Sequence, residues 1–171
     1  MAKLLSSVIA EGLSHLTETH QLILPTHFRG RPGQSTADSL HLLVDTIKAA
    51  WRHRQVTSVL FLDVEGAFLN AVTARLLHNL RKRRVPEVYV SYVDTMLMGH
   101  RTQLKFNDHT SSWFELDNGI GQGDPLSMLL YLYYNSDILE VLKGCNEMGL
   151  GYVDDMALVA VAVTLDQRTG S

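Results

Sequence analysis

Apolar positions recur at helical spacing along much of the chain and give way in places to short β-branched runs, so the pattern predicts an order of elements. Leu4, Leu5, Val8, Ile9, Leu13 and Leu16 predict a helix over Met1 to Leu24 that closes in the loop Pro25-Thr26-His27. Leu40, Leu43, Val44, Ile47 and Trp51 predict a second helix from Thr36 to about His53, with that stripe, Trp51 included, as core. Ser35, three residues before Asp38, approximates a capping box at its start. Val56 to Asp63 reads as a buried strand: apolar, partly β-branched and ending on an acid. Gly66-Ala67-Phe68 then predicts a tight turn, and Asn70 the cap of a helix from Ala71 to Leu80. Pro86 stands at the first position of a further helix carrying Tyr89, Tyr92, Val93, Met96 and Leu97 and ending at Gly99. Arg101 to Phe106 and Ser112 to Asp117, joined through Asn107-Asp108, predict a hairpin. Pro125 opens a helix to about Leu142 with Leu126, Leu129, Leu130, Tyr133 and Ile138 on its apolar face, and the chain passes Lys143-Gly144 into the last pair of strands. Leu150 to Val153 and Met156 to Val163 flank Asp154-Asp155, which predicts a hairpin with the acids at its tip.

This order suits an α+β fold in which a small antiparallel sheet has helices on one side. A length of 171 residues, 46% of them hydrophobic, is enough for one domain with a packed core. The single Cys145 excludes an internal disulfide, fits a reducing compartment and reads as a small buried apolar residue. Glu11 interrupts the N-terminal apolar run too early for a signal peptide or membrane span, so the expected location is intracellular, nucleus or cytoplasm, with no membrane partner. The net charge of −3 hides an asymmetry: residues 29–105 carry 12 Lys/Arg and 6 Asp/Glu, a balance of +6, leaving −9 for the two ends. A basic middle with acidic flanks suggests a polyanion on one face and a cation on another, although solvated helix faces would give the same count.

Chemistry is concentrated in five places. Adjacent carboxylates repel, so Asp154-Asp155 is either a solvated turn or a site where a cation neutralises both. Asp63, at a strand exit, is either a site residue or the cap of the next turn. Gly119, Gly121 and Gly123 permit close approach by a ligand, but their spacing is not the dinucleotide fingerprint and the P-loop lysine is missing. Arg29 and Arg31, in a glycine-containing loop before a helix N-terminus, could hold phosphate, while Arg81-Lys82-Arg83-Arg84 could equally be a solvated helix end.

Taken together, Phe61-Leu62-Asp63-Val64-Glu65-Gly66-Ala67-Phe68, Gly121-Gln122-Gly123-Asp124-Pro125-Leu126-Ser127 and Tyr152-Val153-Asp154-Asp155 resemble the palm of a reverse transcriptase. With Phe28-Arg29-Gly30-Arg31-Pro32-Gly33-Gln34-Ser35-Thr36 before them, they resemble the non-LTR, LINE-type retrotransposon enzymes, particularly fungal sequences. The resemblance implies an RNA-directed DNA polymerase core with an RNA template, a DNA primer and dNTP as partners. Residues 1–55 would be partial fingers and entry helices, and 56–171 a palm with a small antiparallel sheet backed by helices. It implies Mg²⁺, with Mn²⁺ as substitute, held by Asp63, Asp154 and Asp155, two metal ions stabilising the attacking and leaving oxygens of an in-line displacement. Phe68 would stack under the sugar and exclude a ribose 2′-hydroxyl; Gln122 and Gly123 would lie against nucleotide and template; Arg29, Arg31 and the Arg81 to Arg84 cluster would meet backbone phosphates. Glu65 stands where Lys or Arg would suit phosphate better. No upstream fingers motif is found before Phe28, and the eleven residues from Val161 to Ser171 are too few for a thumb, so the expectation is a truncated copy inactive as an isolated chain. The alternative is a non-catalytic nucleic-acid-binding remnant or an inactive relic.

Overall fold

The structure, a computed structural model, describes residues 2–116, 118–142 and 144–163. The expected strand end at Asp117, the passage at Lys143 and the tail from Thr164 onward lie outside the described residues. The elements follow the expected order: α1 (Ala2–Thr19), α2 (Thr36–Arg52), β1 (Val56–Leu62), α3 (Thr73–Lys82), α4 (Glu87–Leu97), β2 (His100–Thr102), β3 (Lys105–Phe106), β4 (His109–Thr110), β5 (Phe114–Leu116), α5 (Ser127–Leu139), β6 (Glu147–Tyr152) and β7 (Asp155–Ala162). The architecture is α+β with small antiparallel sheets. Two compact units make up the chain, one of residues 1–13 and 66–134, the other of 14–65 and 135–171.

In the first unit α3 and α4 pack together and bury Leu76, Leu77, Leu80, Val90, Val93 and Leu97. Asn79, fully buried on α3, donates from Nδ2 to the Tyr133 and Tyr134 carbonyls at 3.1 and 3.0 Å, which satisfies both of its amide N–H groups. Asn70 is not the helix cap: α3 starts after Val72 without a side-chain cap, and the Asn70 N–H instead closes the preceding turn on Gly66 O at 2.8 Å. Pro86 takes the N-cap of α4, one residue earlier than expected, a shift within the ordinary fraying of helix ends. The expected hairpin is two short ladders, β2 with β5 and β3 with β4. They are one residue out of register, since His100 pairs with Leu116 but Lys105 with Thr110.

The stripe expected on α1 is only partly core. Leu13 is buried, but Leu4, Leu5 and Val8 are exposed, and Ser6 is buried instead, its hydroxyl paired with Tyr92 OH at 3.2 Å. A helix with apolar residues at 4, 5, 8, 9, 13 and 16 has a face wider than one neighbour covers. From Leu126 into α5, residues up to Tyr133 are buried almost without a break, whereas Ile138 is exposed, contrary to the expected face.

The second unit is built on the sheet β1-β7-β6, antiparallel throughout, with β7 in the middle. Central placement explains why β7 is Val-, Leu- and Ala-rich: Met156, Ala157 and Val159 are buried in its ladder. α2 packs on β1 and β6, and Phe28, Leu43, Leu150, Ala157 and Val159 form the core between them. β1 is an edge strand with no buried residue, and Phe61 is 69% exposed, which corrects its reading as a buried strand. The α2 stripe is corrected too: Leu43 and Ala50 are buried, but Leu40, Val44 and Trp51 are exposed, Trp51 by 65%. A three-stranded sheet is too narrow to cover the whole stripe. Cys145, expected to be buried, is exposed, because it sits in the loop just before β6 and not in an apolar element. Among the described residues, no helix is long and apolar enough to cross a membrane.

Candidate functional site

The ladder places the acids. Pairing of β1 with β7 runs from Val56↔Ala162 to Leu62↔Met156, and one further step in that register sets Asp63 opposite Asp155. Pairing of β6 with β7 ends at Tyr152↔Asp155, which leaves Val153 and Asp154 as a two-residue hairpin turn. Asp63, Asp154 and Asp155 thus occur at the same end of one sheet. Asp63 and Asp155 are exposed and Asp154 half-buried.

The turn is a strained one. Val153 has φ +64°, a left-handed conformation that a β-branched residue adopts at a cost of about 1–3 kcal/mol. Its surroundings hold it there: the Val153 side chain is buried, and Asn135 on α5 donates to its carbonyl at 3.3 Å. Asn135 has no counterpart in the sequence expectation, and the signal that could have found it is an amide within the apolar run of α5.

The loop before α2 is docked on the same hairpin. Phe28 N–H donates to Gly151 O and Gly151 N–H to Thr26 O, both at 2.9 Å, so residues 26–28 add to the outer edge of β6 through the parallel bridge His27↔Gly151. A Cβ at 151 would lie 2.7 Å from His27 Nδ1 and 2.9 Å from Leu139 Cδ1, so a larger residue there forces the buried His27 ring and the Leu139 side chain to shift. Docking puts the Arg29 guanidinium 5.5 Å from the centre of the Tyr152 ring, a cation–π contact, and Arg29 is exposed. Arg31 takes a different place from the one expected of it. Its Nε and Nη2 reach Glu18 Oε1 and Oε2 at 2.7 Å each, and Nη1 donates to the Leu24 carbonyl at 2.9 Å, with only 8% of the side chain exposed. Arg31 is therefore a brace between α1 and the loop and is not turned outward to phosphate. The Arg31 hydrogen bonds hold the Glu18 carboxyl below the usual carboxylate range.

A cleft of about 350 Å³ opens beside the acids, within the size range of ligand sites. Asp63 and Asp155 line it with Thr36, Leu40, Phe61 and Met156. No group of three or more His, Cys, Asp or Glu side chains that could hold a metal ion occurs among the described residues. The donor set nevertheless suits Mg²⁺, which keeps waters and takes one or two carboxylates with substrate oxygens, without an all-protein cage.

The remaining candidates belong to the first unit. The Phe68 ring lies 4.8 Å from that of Tyr131, tilted by 32°, which fixes its position. Gln122 and Gly123 are exposed on the loop before α5; Gly123 has φ +83° and open space where a Cβ would lie. The basic run ends α3, where Arg81 pairs with Glu87 at 2.7 Å on the surface.

Comparison with known proteins bears on the whole chain. The family described as reverse transcriptase (RNA-dependent DNA polymerase) matches residues 1–164. The chain is 30% identical over 139 residues to a probable RNA-directed DNA polymerase from transposon X-element of Drosophila melanogaster, covering 81% of this chain and 15% of that protein. It is 27% identical over 165 residues to the corresponding protein of transposon BS of the same species, covering 93% and 18%. With a retrovirus-related Pol polyprotein from type-1 retrotransposable element R2 of Nasonia vitripennis, identity is 28% over 132 residues, 72% of this chain and 13% of the relative. The chain thus spans less than a fifth of the length of each of these relatives.

Proposed function

The chain belongs to the reverse transcriptase family, and on that premise we propose that it supplies the palm, with part of the fingers, of a LINE-type RNA-directed DNA polymerase. Residues 56–171 form the palm in this reading and residues 1–55 the partial fingers and entry helices. The observation that carries it is the register of β1-β7-β6, which brings Asp63 to the end of the sheet where the Val153-Asp154 turn and Asp155 lie. The substrates are an RNA template, a DNA primer and dNTP: the primer 3′-hydroxyl forms a bond to the α-phosphorus and pyrophosphate leaves.

Asp63 and Asp154 would hold divalent metal, Mg²⁺ with Mn²⁺ as substitute, and Asp155 would support them. Bound there, the metal supplies charge stabilisation to the attacking and leaving oxygens. The strained Val153 and its Asn135 contact keep the acids on a rigid turn, as a site held to sub-ångström tolerance requires. Phe68, braced by Tyr131, would stand under the sugar and reject a 2′-hydroxyl by bulk. Open space at Gly123 lets the backbone approach a nucleotide, and Gln122 beside it can donate and accept toward base or phosphate. Arg29, exposed and docked next to Tyr152, is the phosphate contact of the loop, whereas Arg31 braces it.

Mn²⁺ binding, followed by electron paramagnetic resonance in the presence of RNA–DNA hybrid and dTTP, tests the assignment. Asp63→Asn and Asp154→Asn each weaken binding by about 100-fold, with unchanged far-UV circular dichroism. Wild-type affinity in both variants would remove the acids from the metal site.

A further inference from the structure

Tyr152 immediately precedes the strained turn, and its two ends are held by different means. Its hydroxyl accepts a hydrogen bond from Thr36 Oγ1, in the first turn of α2, and its ring faces the Arg29 guanidinium. Thr36 is itself fixed. Ser35 caps α2 in a reciprocal box with Asp38, its hydroxyl accepting from Asp38 N–H at 3.2 Å and its own N–H donating to Asp38 Oδ2 at 2.8 Å. The Thr36 carbonyl accepts from Ser39 Oγ at 2.9 Å. One side of the acid turn is therefore tied to a helix start that has little freedom, 116 residues away in sequence.

We propose that Thr36 is a positioning residue for the Asp154-Asp155 turn, acting through the Tyr152 phenol. The proposal rests on the reading of these acids as metal ligands. The turn stores strain at Val153, so it holds its shape only where neighbours over-determine it. Asn135 fixes it from α5 and the Thr36–Tyr152 bond from α2. Loss of the hydroxyl releases the phenol from α2, and the turn then gains an alternative that separates its carboxylates from Asp63. The same bond forms part of the wall of the cleft that Asp63 and Asp155 line, so it also sets the cleft's shape.

Four variants of the full chain test this: Thr36→Val, which keeps the shape without the hydroxyl, Thr36→Ser, which restores it, Tyr152→Phe, and the double variant Thr36→Val/Tyr152→Phe. Two readouts are taken, amide hydrogen exchange of residues 152–155 by NMR and Mn²⁺ affinity by paramagnetic resonance. Thr36→Val and Tyr152→Phe each quicken exchange and weaken Mn²⁺ by about tenfold, Thr36→Ser behaves as wild type, and the double variant is no worse than either single one. Tyr152→Phe removes the bond without touching α2, which separates a lost tie from a damaged helix. Exchange and affinity within about twofold of wild type in Thr36→Val would overturn the proposal. If exchange quickens while Asp154→Asn leaves Mn²⁺ binding intact, the tie stands and the metal reading falls.

Discussion

Arg31 shows what a residue's chemistry does and does not disclose. An arginine beside glycines at a helix entrance suits phosphate, and nothing local distinguishes that use from the one found, because the partner Glu18 lies 13 residues earlier on another helix. Arg29, two positions away, remains exposed, so the loop divides its arginines between a brace and a surface contact. The brace makes a pH-dependent contribution. Glu18 has its folded pKa depressed, so the stabilisation is complete above the unfolded value of about 4.3 and is lost as pH falls through the lower folded value. Glu18→Gln therefore lowers stability at pH 7 by about 1 kcal/mol, less than a fully buried charge-assisted bond contributes, because Glu18 is partly in water. Urea melts of the two proteins converge as pH falls through the lowered folded pKa of Glu18. Melts that differ equally at pH 7 and pH 3 would show that the carboxylate charge is not what matters.

At the scale of elements, order and type were legible, because each helix and strand carries its own period and punctuation: Ser35 and Asp38 at the start of α2, Pro86 at α4, Asn107 at the small hairpin turn. What faces water was less legible. The stripe on α2 showed which residues are apolar, but Leu40, Val44 and Trp51 stay exposed because burial depends on how wide the facing sheet is. A three-stranded sheet with β1 at its edge could not be inferred from β1 itself, whose apolar run reads the same at an edge as in the middle. The capping box is testable at this scale. Ser35→Ala removes the acceptor for Asp38 N–H and costs about 1 kcal/mol, a drop in Tm of about 2–4 °C, and Ser35→Asp restores most of it. An unchanged Tm in Ser35→Ala would mean that α2 is held by packing alone.

For the whole molecule, the acids come from strands 92 positions apart, and their meeting follows from antiparallel pairing: Leu62↔Met156 leaves Asp63 no other neighbour in the register than Asp155. That is why the paired carboxylates, undecided between a solvated turn and a cation site in the local sequence, gain meaning only with the strand that carries Asp63. The tie from Thr36 and the brace at Arg31 were not legible, since both depend on contacts between distant segments. The most direct test is anomalous diffraction at the manganese edge from crystals of the chain grown with Mn²⁺, RNA–DNA hybrid and a non-hydrolysable dTTP analogue. The account predicts an anomalous peak within coordination distance of the Asp63 and Asp154 carboxylates; Mn²⁺ bound to the nucleotide with both carboxylates uncoordinated would contradict it.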